Sequence, residues 1–157
     1  SKSEPVFGAV YKISAVKRDG VYRPRIKVSE NVEKITNPGL KKVYRIYDET
    51  GKAVADLIGK YDEEIDLTKP FRYVDPVAPW RQRTFDNCTG KELQVPIFVN
   101  GELVYQCPSL AEVRAYCLEQ VDKLWDEVKR FDNPHTYYVD LSQKLWDIKY
   151  GLLKNNA

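Results

Sequence analysis

The stretch VPIFVNGELVYQCPSLAE, residues 95–112, decides the fold class of this chain of 157 residues. β-branched and aromatic residues flank Asn100-Gly101, and an Asn-Gly pair in that setting is the strongest short-range signal of a β-hairpin. From Pro108 the apolar spacing becomes helical, and Ser109 with Glu112 predicts a capping box. Because strands give way to helices here, the sequence predicts an α+β fold, with β-hairpins completing a sheet domain and helices after them.

Two helices are predicted in the carboxy-terminal part. Apolar residues at steps of three and four form one stripe that Asn133-Pro134 ends: Leu110, Val113, Cys117, Val121, Leu124, Val128 and Phe131. Asp140 with Gln143 predicts a second cap. An apolar face follows at Leu141, Leu145, Ile148 and Leu152. We expect the two helices to pack on each other or on a sheet.

Further hairpins are predicted upstream. Residues 6–17 and 21–28 are rich in strand formers and flank the turn sequence Asp19-Gly20. A second hairpin joins residues 43–47 to 53–58, whereas residues 70–92 carry three prolines and are predicted to be mostly irregular. These signals divide the chain into basic strands at 1–48, an acidic and Pro-containing connection at 49–92, and a hairpin with two helices at 93–157.

Composition excludes several classes of protein. Hydrophobic residues make up 43% and charged residues 31%, which predicts a folded domain with a core. No apolar run approaches the roughly 20 residues that span a bilayer, and no signal peptide is evident at Ser1-Lys2. The absence of methionine favours a piece of a longer natural chain. A net charge of +2 argues against a strongly basic nucleic-acid binder.

The charge is unevenly distributed, since residues 1–45 hold 11 basic and 4 acidic side chains. This basic segment would face phosphate, nucleic acid or an acidic neighbour, or it would protect solvated strand edges. Its tyrosines would stack bases or pack at an interface, and the sequence favours the interface. They are Tyr11, Tyr22, Tyr44 and Tyr47.

No residue set predicts a complete active site. His135, the single histidine, is expected on a loop without a nucleophile beside it. The cysteines Cys88, Cys107 and Cys117 lack the short spacing of zinc ligands, and the acidic run from Asp62 lacks the spacing of a calcium loop. We therefore predict no catalytic, cofactor-binding or metal-binding residue. An odd cysteine count favours a reduced, cytoplasmic protein.

Several motifs occur in order along nearly the whole chain. Val10-Tyr11-Lys12-Ile13 precedes PRIKVSENVEKITNPG at residues 24–39 and the basic strand at 42–45. PSLAEVR follows at 108–114, and Asn133-Pro134 precedes YVDLS at 138–142. Together these motifs resemble the nicotinate phosphoribosyltransferase family, at its carboxy-terminal region.

The resemblance implies a fragment of a considerably longer enzyme with an irregular α/β barrel, an amino-terminal domain and a dimeric assembly. Such enzymes join nicotinate to phosphoribosyl pyrophosphate, coupled to ATP, and yield nicotinate mononucleotide for NAD synthesis. ATP and Mg²⁺ would bind to the parent enzyme, and no residue here inherits a catalytic role, His135 included. Lys12, Lys34 and Thr36 would lie near the shared site or the subunit contact. The upstream part of the same enzyme would be the partner, with no nucleic acid or membrane.

A second hypothesis stays open at this point. The basic segment and its tyrosines would also suit a stand-alone α+β module that binds protein or single-stranded nucleic acid. A fragment released by proteolysis of the whole enzyme would have the same sequence as one made deliberately.

Overall fold

The structure, a computed structural model, describes Gly8 and residues 10–155. It divides into two compact units. One contains the described residues up to Leu40 together with those from Asp147 onward, and the other is Lys41–Trp146. The three-part division predicted from the sequence stays a prediction, since it concerns how the pieces would complete a longer enzyme.

The first unit begins with an antiparallel hairpin of β1 (Ala15–Arg18) and β2 (Val21–Pro24). Asp19 and Gly20 turn it with φ of 51° and 79°, as predicted from the Asp-Gly pair. Both strands are shorter than predicted, and residues 10–14 are not in a strand; residues 6, 7 and 9 lie outside the described residues. The Ser14 carbonyl accepts a 2.8 Å hydrogen bond from the Arg25 amide, in register with the hairpin, and a 2.7 Å hydrogen bond from the Gly39 amide, which comes from a different segment.

The second unit is built on six strands: β3 (Lys41–Tyr47), β4 (Ala53–Lys60), β5 (Phe71–Val74), β6 (Gln82–Phe85), β7 (Thr89–Glu92) and β10 (Tyr138–Ser142). They form one sheet of order β6-β5-β10-β4-β3-β7. Neighbouring strands are antiparallel except β10 and β4, which are parallel. The hairpin predicted around Thr50-Gly51 is therefore confirmed as β3–β4, in the middle of this sheet.

The prediction that residues 70–92 are mostly irregular is wrong, because three strands form there. Pro70, Pro76 and Pro79 all lie outside the strands, where a missing backbone N–H costs no ladder hydrogen bond. The segment also supplies part of the core. The fully buried Tyr73 ring makes edge contacts to Phe71 and Phe85, with ring centroids 5.5 and 4.8 Å away.

The predicted hairpin at Asn100-Gly101 is confirmed, with β8 (Phe98–Val99) and β9 (Glu102–Leu103) on either side. The capping box is confirmed as well: Ser109 Oγ accepts from the Glu112 amide, and the Glu112 carboxylate accepts from the Ser109 amide. The first helix, α1 (Leu110–Asp122), is shorter than predicted, and a separate turn forms α2 (Asp126–Lys129).

The second predicted helix starts later than expected. Asp140 is not a helix cap but a residue of β10, and Leu141 is fully buried in the sheet rather than on a helix face. The helix α3 (Gln143–Lys154) follows directly. The α+β fold class is nevertheless confirmed. No helix in the described part of the chain is long and apolar enough to span a membrane.

Candidate functional site

The first unit brings two of the three residues singled out from the sequence together. Lys12 Nζ lies 3.5 Å from the backbone oxygen of Lys34, and both side chains are exposed. Lys34 closes a 3-10 helix at Val32–Lys34, whose first turn is capped by Asn31 Oδ1 accepting from the Glu33 amide. This loop thus presents two ammonium groups to solvent from positions 22 residues apart in the chain.

Thr36, the third residue, supports the loop rather than facing outward. Its hydroxyl oxygen accepts a 2.8 Å hydrogen bond from the Lys27 amide, and its own amide donates back to the Lys27 carbonyl at 3.3 Å. Next to it, Asn37 Oδ1 accepts from the buried Lys149 ammonium at 2.9 Å. Burial lowers the pKa of Lys149, since desolvation disfavours the charged form.

In the second unit, Arg45, Asp56 and Tyr137 form a half-buried cluster. Arg45 holds Asp56 through two hydrogen bonds of 2.9 and 3.0 Å, and the Tyr137 hydroxyl donates to Asp56 Oδ1 at 3.0 Å. The hydrogen bond to Asp56 raises the pKa of Arg45, whereas burial is the main cause that raises the pKa of Tyr137. The cluster lies on a cavity of about 600 Å³ whose other walls include apolar residues of α1.

A second ion pair lies nearer the edge of the same sheet. Arg83 Nη1 of β6 is 2.6 Å from Asp140 Oδ2 of β10, and its guanidinium stacks 3.6 Å above the Tyr138 ring. Burial raises the pKa of Asp140, and Arg83 opposes that shift. The Tyr138 ring also makes an edge contact with His135.

The side chains that the sequence singled out for metal or acid–base chemistry do not converge. The ring nitrogens of His135 lie near the Thr136 carbonyl and the Tyr138 hydroxyl, so the imidazole stabilises the loop to which it belongs. The three cysteines are free thiols, with Cys88 buried and the other two exposed. Among residues 10–155 and Gly8, no group of three or more His, Cys, Asp or Glu side chains is placed to hold a metal ion.

Lys12 and Lys34 present positive charge at the surface, whereas Arg45 and Arg83 are each paired with a carboxylate. Sequence reasoning missed both ion pairs. Arg83 and Asp140 are 57 residues apart, and no local pattern links them. Arg45 and Asp56 are 11 residues apart on paired strands, so the register of the β3–β4 hairpin was the signal that would have found them.

Comparison with known proteins gives one consistent result. The family model for the nicotinate phosphoribosyltransferase C-terminal domain matches residues 40–149. The chain is 39% identical over 147 residues to nicotinate phosphoribosyltransferase of Bacillus subtilis, covering 93% of this chain and 30% of that protein. It is 31% identical over 147 residues to the Rattus norvegicus protein of the same name, covering 90% of this chain and 26% of that protein.

The fold comparison agrees. The crystal structure of human nicotinic acid phosphoribosyltransferase superimposes with a TM-score of 0.70 at 25% identity, covering 85% of this chain and 26% of the human chain. The chain thus spans about 30% or less of the length of these relatives.

Proposed function

Because the chain belongs to the nicotinate phosphoribosyltransferase C-terminal domain family, we propose that it is the carboxy-terminal part of such an enzyme. The parent would join nicotinate to phosphoribosyl pyrophosphate, coupled to ATP hydrolysis, and would release nicotinate mononucleotide and pyrophosphate for NAD synthesis. The observation that carries this proposal is the family match over residues 40–149. The parent would bind ATP and Mg²⁺ for this reaction at an active site in its upstream part, as the resemblance to the family implies.

An exposed apolar surface in the second unit supports a role inside a larger protein. The β8–β9 hairpin and the start of α1 leave many large apolar side chains in water: Val95, Ile97, Phe98, Val99, Leu103, Val104, Leu110 and Val113. Exposed apolar side chains gathered on one hairpin and the helix that follows it are typical of a surface that contacts another part of a protein. Since the chain covers only 30% of the Bacillus relative, the remainder of the same polypeptide is the occupant we propose.

The exposed ammonium groups of Lys12 and Lys34 suit a position near the active site or a subunit contact of a homodimeric parent. Cations placed beside a departing pyrophosphate stabilise the charge that develops on it. Thr36 would contribute by fixing the loop that presents Lys34, through its two hydrogen bonds with Lys27. Free cysteines, including the exposed Cys107 and Cys117, suit the cytoplasm, where thiols stay reduced.

The stand-alone binding module is not favoured. The match to the Bacillus protein covers 93% of the chain, so it includes most of the basic segment and its tyrosines.

A chimeric enzyme tests the proposal. The matching segment of the Bacillus subtilis enzyme is replaced by this chain, and formation of nicotinate mononucleotide is measured with nicotinate, phosphoribosyl pyrophosphate, ATP and Mg²⁺. We expect the chimera to be active, whereas the Bacillus enzyme without the segment, and this chain alone at verified intact mass, are expected to be inactive.

A matched control carries the corresponding segment of the Rattus norvegicus enzyme, which is 31% identical to this chain. Activity of that control beside a folded but inactive chimera with this chain would refute the proposal. Activity of this chain alone would refute the assignment of the active site to the upstream part.

A further inference from the structure

A cavity of about 430 Å³ on the second unit is lined by several cationic side chains. Among the described residues that line it are three arginines and a single carboxylate, that of Glu127. They come from separate places in the chain: Arg81 just before β6 and Arg83 within it, Arg130 after α2, and His135 before β10. The fold therefore gathers positive charge that is dispersed in the sequence.

Arg83 is held in a fixed orientation. Its ion pair with Asp140 occupies Nη1, and the Tyr138 ring supports the face of the guanidinium. The Asp140 side chain is only 3% exposed, so its charge is directed at Arg83 rather than at solvent. A guanidinium carries five N–H donors, so the ion pair with Asp140 does not use all of them, and Arg83 is among the residues that line the cavity.

The other two arginines are readily available to an anion. Arg81 is exposed. Arg130 has a 3.6 Å contact to Glu127, and its side chain is 59% exposed. A surface pair of this kind contributes little free energy, so a multiply charged anion competes with it at small cost.

Beside the arginines lies a cleft of about 370 Å³ lined by Trp125, Glu127, His135 and Tyr138. Three of these side chains are flat and aromatic. One face of the Tyr138 ring carries the Arg83 guanidinium and the ring meets His135 in an edge contact, so these rings together with Trp125 form an aromatic wall against which a planar ring attached to an anionic group can pack. The two cavities have Glu127, His135 and Tyr138 in common, so they lie against the same side chains.

We propose that this cavity binds a small molecule carrying two or more linked phosphate groups, either free pyrophosphate or the phosphate tail of a nucleotide. Several guanidinium groups from different elements match a ligand with several phosphate oxygens, because each guanidinium can bind phosphate in a bidentate manner. The inference is independent of the activity of the parent enzyme, since it rests on the lining of this cavity alone.

The single histidine of the chain provides the readout, because its imidazole signals in an NMR spectrum belong to His135 without ambiguity. The full chain, labelled on histidine, is titrated at low salt with orthophosphate, pyrophosphate and ATP up to about 10 mM, a range that detects dissociation constants in the millimolar region. We expect saturable shifts of the His135 signals with pyrophosphate and ATP, and at least tenfold weaker binding of orthophosphate.

Two matched variants separate a site from general attraction to a basic protein. We expect Arg81→Gln combined with Arg130→Gln to weaken pyrophosphate binding at least tenfold. Arg18→Gln combined with Arg114→Gln removes the same charge from exposed positions elsewhere. We expect this variant to change the dissociation constant of pyrophosphate less than twofold. All four residues are exposed, so both variants keep their fold, which the remaining amide spectrum verifies.

The arms of the titration also distinguish the source of the phosphates. Tighter binding of ATP than of pyrophosphate indicates that a nucleoside occupies the aromatic cleft, and equal binding indicates recognition of the phosphates alone; both support the proposal. It is overturned by the absence of saturable shifts, by equal weakening in the two double variants, or by orthophosphate binding as tightly as pyrophosphate.

Discussion

Removing Arg83 should destabilise the second unit by leaving Asp140 buried without a counter-charge. The Asp140 side chain is 3% exposed and its partner 21% exposed, at a distance of 2.6 Å. Breaking a buried ion pair by deleting one partner costs about 3–5 kcal/mol. Because Arg83 is partly exposed, we expect Arg83→Gln to cost about 3 kcal/mol, at the lower end of that range.

The assay is urea unfolding followed by tryptophan fluorescence and circular dichroism. With a slope of about 2 kcal/mol per molar urea, a loss of about 3 kcal/mol lowers the midpoint by about 1.5 M. The double variant Arg83→Gln, Asp140→Asn is the control, since neutral partners of similar shape remove the buried charge. We expect it to recover most of the lost stability, which gives a large interaction energy in the double-mutant cycle.

The pH dependence of the same measurement is a second check. Burial already raises the pKa of Asp140 in the folded chain, and loss of Arg83 removes the charge that opposes this shift. A carboxyl group whose pKa is higher in the folded than in the unfolded chain stabilises the fold at low pH, and this contribution is lost as the pH rises through the folded-state pKa. The loss of unfolding free energy caused by Arg83→Gln should therefore be largest at pH 7 and should become smaller toward about pH 4, near the ordinary carboxyl pKa. A deficit below about 1 kcal/mol at pH 7, the level of an exposed pair, would refute the reasoning.

Three further substitutions probe the core, a helix cap and the Arg45 cluster. Leu57 is fully buried in the core, so Leu57→Ala should cost about 2–5 kcal/mol in urea unfolding, and a cost under 1 kcal/mol would show that the site collapses around the smaller side chain. Ser109→Ala removes the cap that accepts from Glu112 and should cost about 1 kcal/mol, whereas Ser109→Asp should cost less, as measured by helical circular dichroism on heating. Tyr137→Phe removes a 3.0 Å hydrogen bond to the Asp56 carboxylate and should cost about 1.5–3 kcal/mol at neutral pH; a neutral effect would mean that water replaces the hydroxyl.

The sequence was a good guide wherever the deciding groups lie within a few residues of each other. Asn100 and Gly101 adopt φ of 50° and 86°, and both residue types tolerate the left-handed region that a tight hairpin turn needs. The capping box at Ser109 and Glu112 is equally local, since both hydrogen bonds span three residues. The motif order also sufficed to predict the family, which residues 40–149 confirm.

The candidate site was only partly predictable. Lys12 and Lys34 were named from the sequence and do meet in one loop, although their position near the active site of a parent enzyme stays a prediction. The cavity formed around Arg83 and Arg130 was not predicted, because its lining comes from three segments that only the sheet and the turn at α2 bring together.

Tertiary structure alone decided where β10 lies. Its five residues are too few to show a period, and Leu141, Leu145 and Ile148 continue a spacing that indicates a helix. The strand nevertheless pairs in parallel with β4 and antiparallel with β5, which gives Leu141 complete burial and Asp140 its arginine. By itself the sequence determined the turns, the cap and the α+β class, because these depend on neighbouring residues. The insertion of a late strand into the middle of the sheet depends on backbone pairing and burial between distant segments, which local pattern does not encode.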